Sequence, residues 1–448
     1  MPNETVKIDK VVAGGKGLAR SASGLVLMVP MGLPGEELVV RPSRNKKGYQ
    51  EAELVAVVAP HPQRISPPCR YFGRCGGCDL QHAAYPLQVE IKNGILQDQL
   101  RRGGVVAGDE MEIVALPLAS PAPFGYRQRL RLQVDEAGRW GFFRCRSHEL
   151  EAIAACLLAE PGINSLLENF STSPALLALL RNGKELEVIA SGGEGGIVLV
   201  LTMRRKPRPA DLQAAAKVAR ELPEVLAVYL DCEGSSRLGP FTVAGLAASI
   251  DQSALVRLEF PPLAQRGVPG YTLLQEAGGF SQVNGGQNRR MIAQLLEWLD
   301  GEEVGRAVDL YCGMGNFSIP LALAGIVMTG ADLQRSTIRS AQRNAVAAGL
   351  ANCVFIQASA ERAAADLVAA GKSFDLVILD PPRRGCAEVV PLVAALNAPL
   401  VLYISCDPAT LARDLVSLIA QGYRLERISM VDMFPQTAHL ESMALLRK

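Results

Sequence analysis

The stretch Leu402-Tyr403-Ile404-Ser405-Cys406-Asp407-Pro408 decides the fold of the C-terminal part of the chain. Residues 399–404 are an apolar run rich in β-branched and aromatic side chains, which predicts a buried strand. Residues 409–420 then have helical spacing. Cys406 is therefore predicted at a strand tip where a turn opens a helix, the edge at which open α/β sheets bind ligands. We expect the helix N-terminus to lower the pKa of this thiol; the alternative is an inert buried cysteine.

Length and composition indicate two or three domains with sizeable cores, since 49% of the 448 residues are hydrophobic. The 46 basic and 45 acidic residues give a net charge of +1, so any basic surface must be local. No apolar run is long enough to cross a membrane and the N-terminus lacks a signal-peptide core, which predicts a cytoplasmic protein without a membrane partner. Ten cysteines in such a chain favour metal binding or catalysis over disulfides.

The N-terminal region alternates short β-rich runs with glycine turns over residues 6–59. This pattern predicts a small β-barrel, and five-stranded barrels of this size often bind oligonucleotides. Eight lysines and arginines stand against five acids in this region. On charge alone, an ordinary solvated surface explains that small excess equally well.

Three cysteines within ten residues, Cys69, Cys75 and Cys78, form the most specific local pattern in the chain. Two of them are separated only by glycines, which let the backbone fold around a small object, and the pattern predicts a metal or cluster site. A fourth thiolate is required, and the spacing leaves Cys145 and Cys156 as candidates. Structural zinc usually takes two close knuckles and the second is missing here, so a [4Fe-4S] cluster is favoured. A radical S-adenosylmethionine enzyme would have a shorter first gap between cysteines.

Aromatic and cationic residues interleave at residues 124–131. On a strand, Arg127, Arg129 and Arg131 would share one face suited to phosphates, with aromatic groups near enough to stack on a base. The alternative is a strand edge protected by charge. Because few acids lie nearby in the sequence, we interpret this segment as RNA-binding.

The last region begins with a predicted strand at residues 304–311, followed by Gly313 and Gly315, which allow close approach of a ligand. The next predicted strand ends at Asp332, 23 residues after Asp309, where a carboxylate can bind the ribose hydroxyls of a nucleoside-containing cofactor. The third glycine of the dinucleotide pattern is absent. This favours S-adenosylmethionine, which has no pyrophosphate to bind.

Strands and helices continue to alternate towards the C-terminus, which predicts a doubly wound parallel sheet with helices on both faces. Asp380 lies at a predicted strand tip of the same crevice and begins the sequence Asp380-Pro-Pro-Arg383. Methyltransferases acting on exocyclic amines use a similar Pro-Pro loop followed by an aromatic residue that stacks on the base. Because Arg383 stands at that position, methylation of an amine is disfavoured and remains the alternative chemistry.

Several stretches together resemble the RNA uridine-5-methyltransferase family over nearly the whole chain. They are Gln282-Val283-Asn284, residues 309–317, Asp380-Pro-Pro-Arg-Arg-Gly385, residues 405–414 and residues 432–442. The N-terminal barrel, with its Gly-Gly-x-Gly-Leu pattern at residues 14–18, resembles an RNA-binding TRAM domain.

The resemblance implies an α/β protein of three parts. These are an OB-like TRAM β-barrel at residues 1–62, a central α+β iron-sulfur and RNA-binding domain at 63–270, and a Rossmann-like S-adenosylmethionine methyltransferase domain at 271–448. It also implies that the helix near residues 86–104 packs on the catalytic domain rather than the central one.

The same resemblance implies roles for individual residues, with Cys406 as the nucleophile and Glu441 as the base. The implied cluster ligands are Cys69, Cys75, Cys78 and Cys156. The implied contacts with S-adenosylmethionine or the substrate are Gln282, Tyr311, Asn316, Asp332, Ser359 and Asp380.

The chemistry of uracil agrees with these roles. C5 is a poor nucleophile, so the Cys406 thiolate must first add to C6, and Glu441 can then remove the C5 proton. The base must be flipped out of its stack, and Phe280 or Tyr126 could hold it. The expected partner is RNA, with ribosomal RNA favoured and transfer RNA possible, and the expected state is a monomer. A non-catalytic RNA-binding factor is the non-enzymatic alternative, and the intact Cys406 and Glu441 count against it.

Two residues depart from the family pattern. Asp407 stands where asparagine is usual, and its charge is expected to raise the pKa of Cys406 unless the helix start or Arg384 offsets it. Ser359 stands where asparagine or aspartate is more common near the adenine of the cofactor. Neither change removes a catalytic group, so both are interpreted as tuning.

Overall fold

The structure, a computed structural model, describes residues 2–106, 114–192, 195–246 and 255–448. Its first strands are β1 (Glu4–Val12), β2 (Lys16–Arg20), β3 (Val26–Pro30), β4 (Glu37–Lys46) and β5 (Tyr49–Ala59). They close into a barrel in the order β1-β2-β3-β5-β4. Successive side chains of a strand point to opposite faces, and the inward set, including Ile8, Leu27 and Leu38, forms the barrel core.

The central part is a sheet covered by helices. Its strands are β6 (Arg129–Val134), β7 (Trp140–Phe143), β8 (Leu150–Ala152), β9 (Gly183–Ser191), β10 (Gly196–Met203), β11 (Val225–Cys232), β12 (Leu238–Thr242) and β13 (Gly245–Leu246). They form one eight-stranded sheet in the order β13-β12-β11-β10-β9-β6-β7-β8. Its helices are α2 (Pro161–Asn169), α3 (Pro174–Leu180) and α4 (Pro209–Glu221). They pack on the sheet through buried leucines such as Leu166 and Leu179.

The C-terminal part begins with a two-stranded sheet of β14 (Val256–Phe260) and β15 (Tyr271–Gln275). The strands that follow are β16 (Arg306–Asp309), β17 (Val327–Asp332), β18 (Cys353–Gln357), β19 (Leu376–Leu379), β20 (Leu400–Ser405), β21 (Arg424–Val431) and β22 (Glu441–Arg447). The helices between them are α5 (Gly285–Trp298), α6 (Ser318–Leu323), α7 (Arg335–Ala347), α8 (Ala360–Ala369), α9 (Val390–Leu396) and α10 (Pro408–Ala420).

These seven strands form one sheet in the order β18-β17-β16-β19-β20-β22-β21. The first five are parallel, and β22 lies antiparallel between β20 and β21. All residues of β19 and β20 are buried, as expected of strands covered on both faces. The chain winds outwards from β16 in one direction and from β19 in the other, so a ligand crevice opens at their carboxyl ends.

Helix α1 (Tyr85–Arg102) lies in the sequence before the central sheet but packs on the C-terminal one. Its buried residues Leu87, Ile95 and Leu100 share a core with residues of β19 and β20, and the helix contacts α10. Its proline is in the first turn, where no backbone donor is needed.

The predicted fold class is confirmed: the chain combines a closed five-stranded barrel, a central α+β part and a doubly wound sheet. Helix α9 is an addition that the sequence patterns do not predict. The strand expected from residue 124 begins only at Arg129, because the backbone of Arg127 instead pairs with Ala159 and Asn284 of two other segments. Within the described ranges, no helix is both long and apolar enough to cross a membrane.

Candidate active site

Cys406 lies in the short turn between β20 and α10. Asp407 caps the helix, since its Oδ1 accepts hydrogen bonds from the backbone N–H groups of Ala409 and Thr410, both at 3.0 Å. The backbone N–H of Asp407 donates to the Ser405 hydroxyl oxygen at 3.2 Å. The thiol is therefore placed by a rigid strand-turn-helix unit at the edge of the crevice.

Glu441 is the first residue of β22, the antiparallel neighbour of β20. Ser405 pairs with Ser442 in this register, and the Ser442 hydroxyl donates to the Ser405 carbonyl at 3.1 Å. Cys406 directly follows Ser405, and Glu441 directly precedes Ser442. The register thus brings the thiol and the carboxyl group, 35 residues apart in sequence, to the same sheet edge.

The pKa of Cys406 is raised to about 11, against the direction expected from the helix N-terminus. Burial is the largest cause, and the negative charges of Glu441 and Asp380 add to it, while Arg383 opposes it. Asp407 is not among the main causes of this shift, and its carboxylate accepts hydrogen bonds from the N–H groups at the helix start. The offsetting cation is Arg383 rather than Arg384.

Three acidic groups in the crevice have pKa values above their usual range. Burial raises the pKa of Asp309 to about 7, although the Ser318 hydroxyl donates to its Oδ2 at 2.8 Å. Burial and the charge of Asp309 raise the pKa of Asp380 to about 7. The pKa of Glu441 is raised well above its usual range by burial and by Asp380, and Arg383 again opposes the shift. Arg383 is thus the cation common to the thiol and the base.

Asp332 lies at the end of β17, beside the glycine turn after β16. The backbone N–H of Gly313 donates to its Oδ2 at 3.2 Å, and Gln334 N–H and the Thr337 hydroxyl donate to its Oδ1 at 2.8 and 3.0 Å. These bonds fix the carboxylate at the crevice. Gly313 has a φ of +54°, a left-handed conformation that suits glycine.

Two of the other predicted cofactor contacts, Asn316 and Ser359, bond to neighbouring residues. Asn316 exchanges two amide hydrogen bonds, of 2.7 and 3.1 Å, with Asn288 of α5. Ser359 caps α8, accepting the Arg362 N–H at 3.2 Å. Tyr311 is partly buried after β16, and Gln282 is 8% exposed in the segment between β15 and α5. The hydroxyl of Ser359 therefore caps the start of α8.

The four cysteines expected to hold a cluster, Cys69, Cys75, Cys78 and Cys156, line one cavity of about 300 Å³. Cys145 is exposed and does not line it. Burial raises the pKa of Cys75 to about 11 and that of Cys78 to about 12. Over the described part of the chain, no group of three or more histidine, cysteine or acidic residues is placed to hold a metal ion as it stands.

Arg127 also lines the cysteine cavity. Its charge opposes the rise in the pKa of Cys78 and Cys156. Its buried Nε has no hydrogen-bond partner among the described residues. Four thiols and an unpartnered cationic donor around one cavity are a donor set that fits an anionic iron-sulfur cluster.

Arg127, Arg129 and Arg131 do not form the free cationic face that was predicted, although the Arg131 side chain remains largely exposed. Arg129 and Arg131 each bond the carboxylate of Glu187 at 2.6 Å on the neighbouring strand, and Arg127 turns to the cysteine cavity. Tyr126 cannot stack on a base, because it is 5% exposed and its hydroxyl donates to the Pro435 carbonyl at 2.9 Å. The predicted alternative, Phe280, is 67% exposed.

Sequence patterns did not identify two residues that bond the segment leading to Glu441. Lys92 is fully buried and its Nζ bonds Asp432 at 2.6 Å. Asp79 directly follows Cys78, and its carboxylate accepts a hydrogen bond from the N–H of Ala438 at 3.0 Å. A lysine on the apolar face of α1 is the one signal that could have pointed to a buried partner.

Comparison with known proteins is consistent with this geometry. A family model described as tRNA (Uracil-5-)-methyltransferase matches residues 269–448. The 23S rRNA (uracil(1939)-C(5))-methyltransferase RlmD of Pectobacterium atrosepticum is 34% identical, with 99% of this chain and 93% of the relative covered. The enzyme of the same name from Alkalilimnicola ehrlichii is 37% identical, with 97% and 94% covered.

Among solved structures, the tRNA (uracil-54, C5)-methyltransferase of Pyrococcus abyssi, in complex with S-adenosyl-L-homocysteine, matches with a TM-score of 0.73. The match covers 98% of this chain and 99% of that one at 22% identity, and shows a common fold. The likeness to the bacterial relatives extends over nearly the whole of this chain and over more than nine-tenths of theirs. This chain belongs to the RNA uracil-C5 methyltransferase family.

Proposed function

We propose that this protein transfers the methyl group of S-adenosylmethionine to C5 of a uridine in RNA, through a covalent bond between Cys406 and C6. The observation that carries the proposal is the register of β20 and β22, which sets Cys406 and Glu441 side by side at the crevice. A thiol alone could be inert. A thiol beside a proton acceptor, at the edge where α/β sheets bind ligands, has what C5 methylation requires.

The reaction follows from the residues in order. The Cys406 thiolate adds to C6, and C5 becomes nucleophilic enough to form a bond to carbon. S-adenosylmethionine, when bound, supplies an electrophilic methyl group and leaves as the neutral thioether. Glu441 takes the C5 proton, and the electron pair of that C–H bond expels the sulfur of Cys406. The enzyme is returned with the Cys406 thiolate and with one proton on Glu441 to release.

Protonation controls the first and last steps. Burial and neighbouring carboxyl groups raise the pKa of both Cys406 and Glu441. Arg383 is the group that favours the anion of each. We propose that Asp380 lies near the sulfonium of the cofactor and that Asp332 binds its ribose hydroxyls.

The RNA partner that we propose is 23S ribosomal RNA, since the bacterial relatives matched over their full length carry that substrate in their names. Transfer RNA is the second candidate, because the archaeal structure with the same fold is named for it. Phe280 is the exposed aromatic residue proposed to stack on the flipped base.

We also propose the three domains at residues 1–62, 63–270 and 271–448, a monomeric state and a place in the cytoplasm.

Covalent trapping tests the reaction. RNA in which uridine is replaced by 5-fluorouridine cannot lose a C5 proton, so the wild-type protein with S-adenosylmethionine should form an adduct stable on a denaturing gel. Cys406→Ala should form none, and Cys232→Ala, which changes a cysteine on the distant strand β11, should form as much as wild type. An enzyme that methylates an amine would form no adduct. Absence of the adduct and of 5-methyluridine in both RNA classes would refute the proposal.

We further propose that Cys69, Cys75, Cys78 and Cys156 hold a [4Fe-4S] cluster. Their common cavity and the unpartnered Nε of Arg127 support it. Anaerobically purified protein should contain iron and sulfide and absorb near roughly 400 nm, which a zinc protein would not. Cys156→Ser should lose most of the iron, whereas Cys145→Ser, the matched control on an exposed residue, should keep it. Equal iron in the two variants would exclude Cys156 as a ligand.

A further inference from the structure

The loop of residues 432–440 joins β21 to β22 and ends directly before Glu441. It contains no regular strand or helix of its own, so its course depends on the groups that bond it. Gln436 in its middle has a φ of +70°, a left-handed conformation unusual for a side chain other than glycine. Such a conformation persists only where the surroundings hold it.

Helix α1 holds the first half of this loop. Lys92 Nζ donates to Asp432 Oδ1 at 2.6 Å and to the Phe434 carbonyl at 2.8 Å. Gln88 exchanges two bonds with Gln436, each 2.9 Å: its Nε2 donates to the Gln436 side chain and its Oε1 accepts the Gln436 N–H.

The segment that follows the cysteine pattern holds the second half. The backbone N–H groups of Asp79 and Leu80 both donate to the Gln436 carbonyl at 3.0 Å. The Asp79 carboxylate accepts the Ala438 N–H at 3.0 Å. Asp79 directly follows Cys78, and His439 of the loop lines the same cavity as the four cysteines. The cysteine segment and the loop that leads to Glu441 are therefore one packed unit.

The N-terminal barrel also contacts this loop, beside Asp79 and Ala438. The turn between β1 and β2 places Gly15 so near that a Cβ there would lie 2.9 Å from Cβ of Ala438 and 3.1 Å from Cβ of Asp79. Gly15 also has a φ of +73°. A larger residue at this position must push on the contact between Asp79 and Ala438, because there is no room for its side chain.

We propose that Asp79 is a positioning residue for the base Glu441, acting through its hydrogen bond to Ala438. The inference rests on the proposed function, since it concerns the step in which Glu441 removes the C5 proton. Only two residues separate Ala438 from Glu441, so freeing the loop at Ala438 displaces the carboxyl group from the substrate ring. Cys406 is held separately by its own strand and helix. Loss of Asp79 therefore slows proton removal and leaves formation of the covalent bond intact.

The two steps can be separated by experiment. The probe is an unmodified 23S ribosomal RNA transcript with S-adenosylmethionine, from which the wild-type protein makes 5-methyluridine with little adduct at steady state. Asp79→Ala should form the methylated adduct at the wild-type rate but release product about ten- to a hundredfold more slowly. Adduct should consequently accumulate on a denaturing gel. Asp79→Asn keeps an oxygen that accepts the Ala438 N–H and should restore release to near wild type.

Two further variants sharpen the test. Gly15→Ala, which leaves Asp79 in place but presses on the same contact, should also accumulate adduct. Asp98→Ala is the matched control, because Asp98 of α1 bonds Lys10 of the barrel and Arg102 of its own helix, away from the loop. It should behave as wild type.

The outcomes distinguish the two proposals. If the wild-type protein forms no adduct with 5-fluorouridine RNA of either class, the proposed function fails. If the wild-type protein is active and Asp79→Ala releases product at the wild-type rate, the positioning role of Asp79 is refuted. Equal losses in Asp79→Ala and Asp79→Asn would refute it too, because the hydrogen bond would then not be the cause. A variant that does not fold would lose adduct and product together. If Asp79→Ala behaves in this way, Gly15→Ala takes its place in the test: accumulation of adduct supports the positioning role, and release of product at the wild-type rate refutes it.

Discussion

Replacing Arg383 by methionine should raise the pKa of the Cys406 thiol and slow its reaction with electrophiles. In the native protein this pKa is about 11, because burial, Glu441 and Asp380 favour the neutral thiol and Arg383 alone among the nearby side chains favours the anion. At pH 8 only about one thiol in a thousand is then ionised. An opposite charge near an ionisable group typically moves its pKa by at least about one unit. The thiolate fraction in Arg383→Met should therefore fall about tenfold.

Alkylation by iodoacetamide without RNA measures this change directly, since contacts of Arg383 with a substrate then play no part. The rate at Cys406 is followed by peptide mass spectrometry between pH 7 and pH 10 for the wild type and the variant. Below its pKa the rate rises tenfold per pH unit, and the variant curve should lie about one unit to the alkaline side. Arg384→Met is the control, because Arg384 is equally exposed and is not among the causes of the Cys406 shift. Coinciding curves for the two variants would refute the reasoning.

Three other predictions concern single side chains. Glu441→Gln should form the methylated adduct with uridine RNA but lose turnover by a factor of about 10² to 10⁴, since no base removes the C5 proton; rapid turnover in this variant, measured by release of 5-methyluridine RNA, would exclude Glu441 as the base. Lys92→Met leaves the charge of Asp432 buried without its partner and should cost about 3–5 kcal/mol in urea unfolding, much of which the double variant with Asp432→Leu should recover; equal costs in the single and double variants would contradict this account. The folded-state pKa of Asp309 is raised to about 7, so its protonation stabilises the folded protein at low pH, and this contribution is lost as the pH rises through 7. The free energy of unfolding of Asp309→Asn should therefore increase relative to that of the wild type by a few kcal/mol between pH 5 and pH 8. A difference independent of pH would show that Asp309 titrates normally.

Local patterns were sufficient where neighbours in sequence decide the structure. The apolar run before Cys406, the glycines after β16 and the proline loop after Asp380 each mark a strand that ends in a turn, and the structure has β20, β16 and β19 at those places. The cysteine spacing is similarly local. Parallel strands share one edge for their carboxyl ends, so these separate patterns already predict a common crevice.

The wrong predictions concern residues whose partners are distant in the chain. Arg129 and Arg131 look free in the sequence, but both pair with Glu187, more than 50 residues away on the neighbouring strand. The pKa of Cys406 was expected to fall because the helix start is visible in the sequence, whereas the burial that raises it is not. A strand pattern cannot show which charges will be paired or desolvated.

The barrel, the doubly wound sheet and the strand tips that carry Cys406 and Asp380 could therefore be predicted from local patterns, because spacing along the chain dictates strand, turn and helix. Which groups meet could not be predicted in this way. The pairing of β22 with β20 places Glu441 beside the thiol, and Lys92 reaches Asp432 across 340 residues. Contacts of that separation arise from packing, and packing also sets the burial that governs the charge of the site.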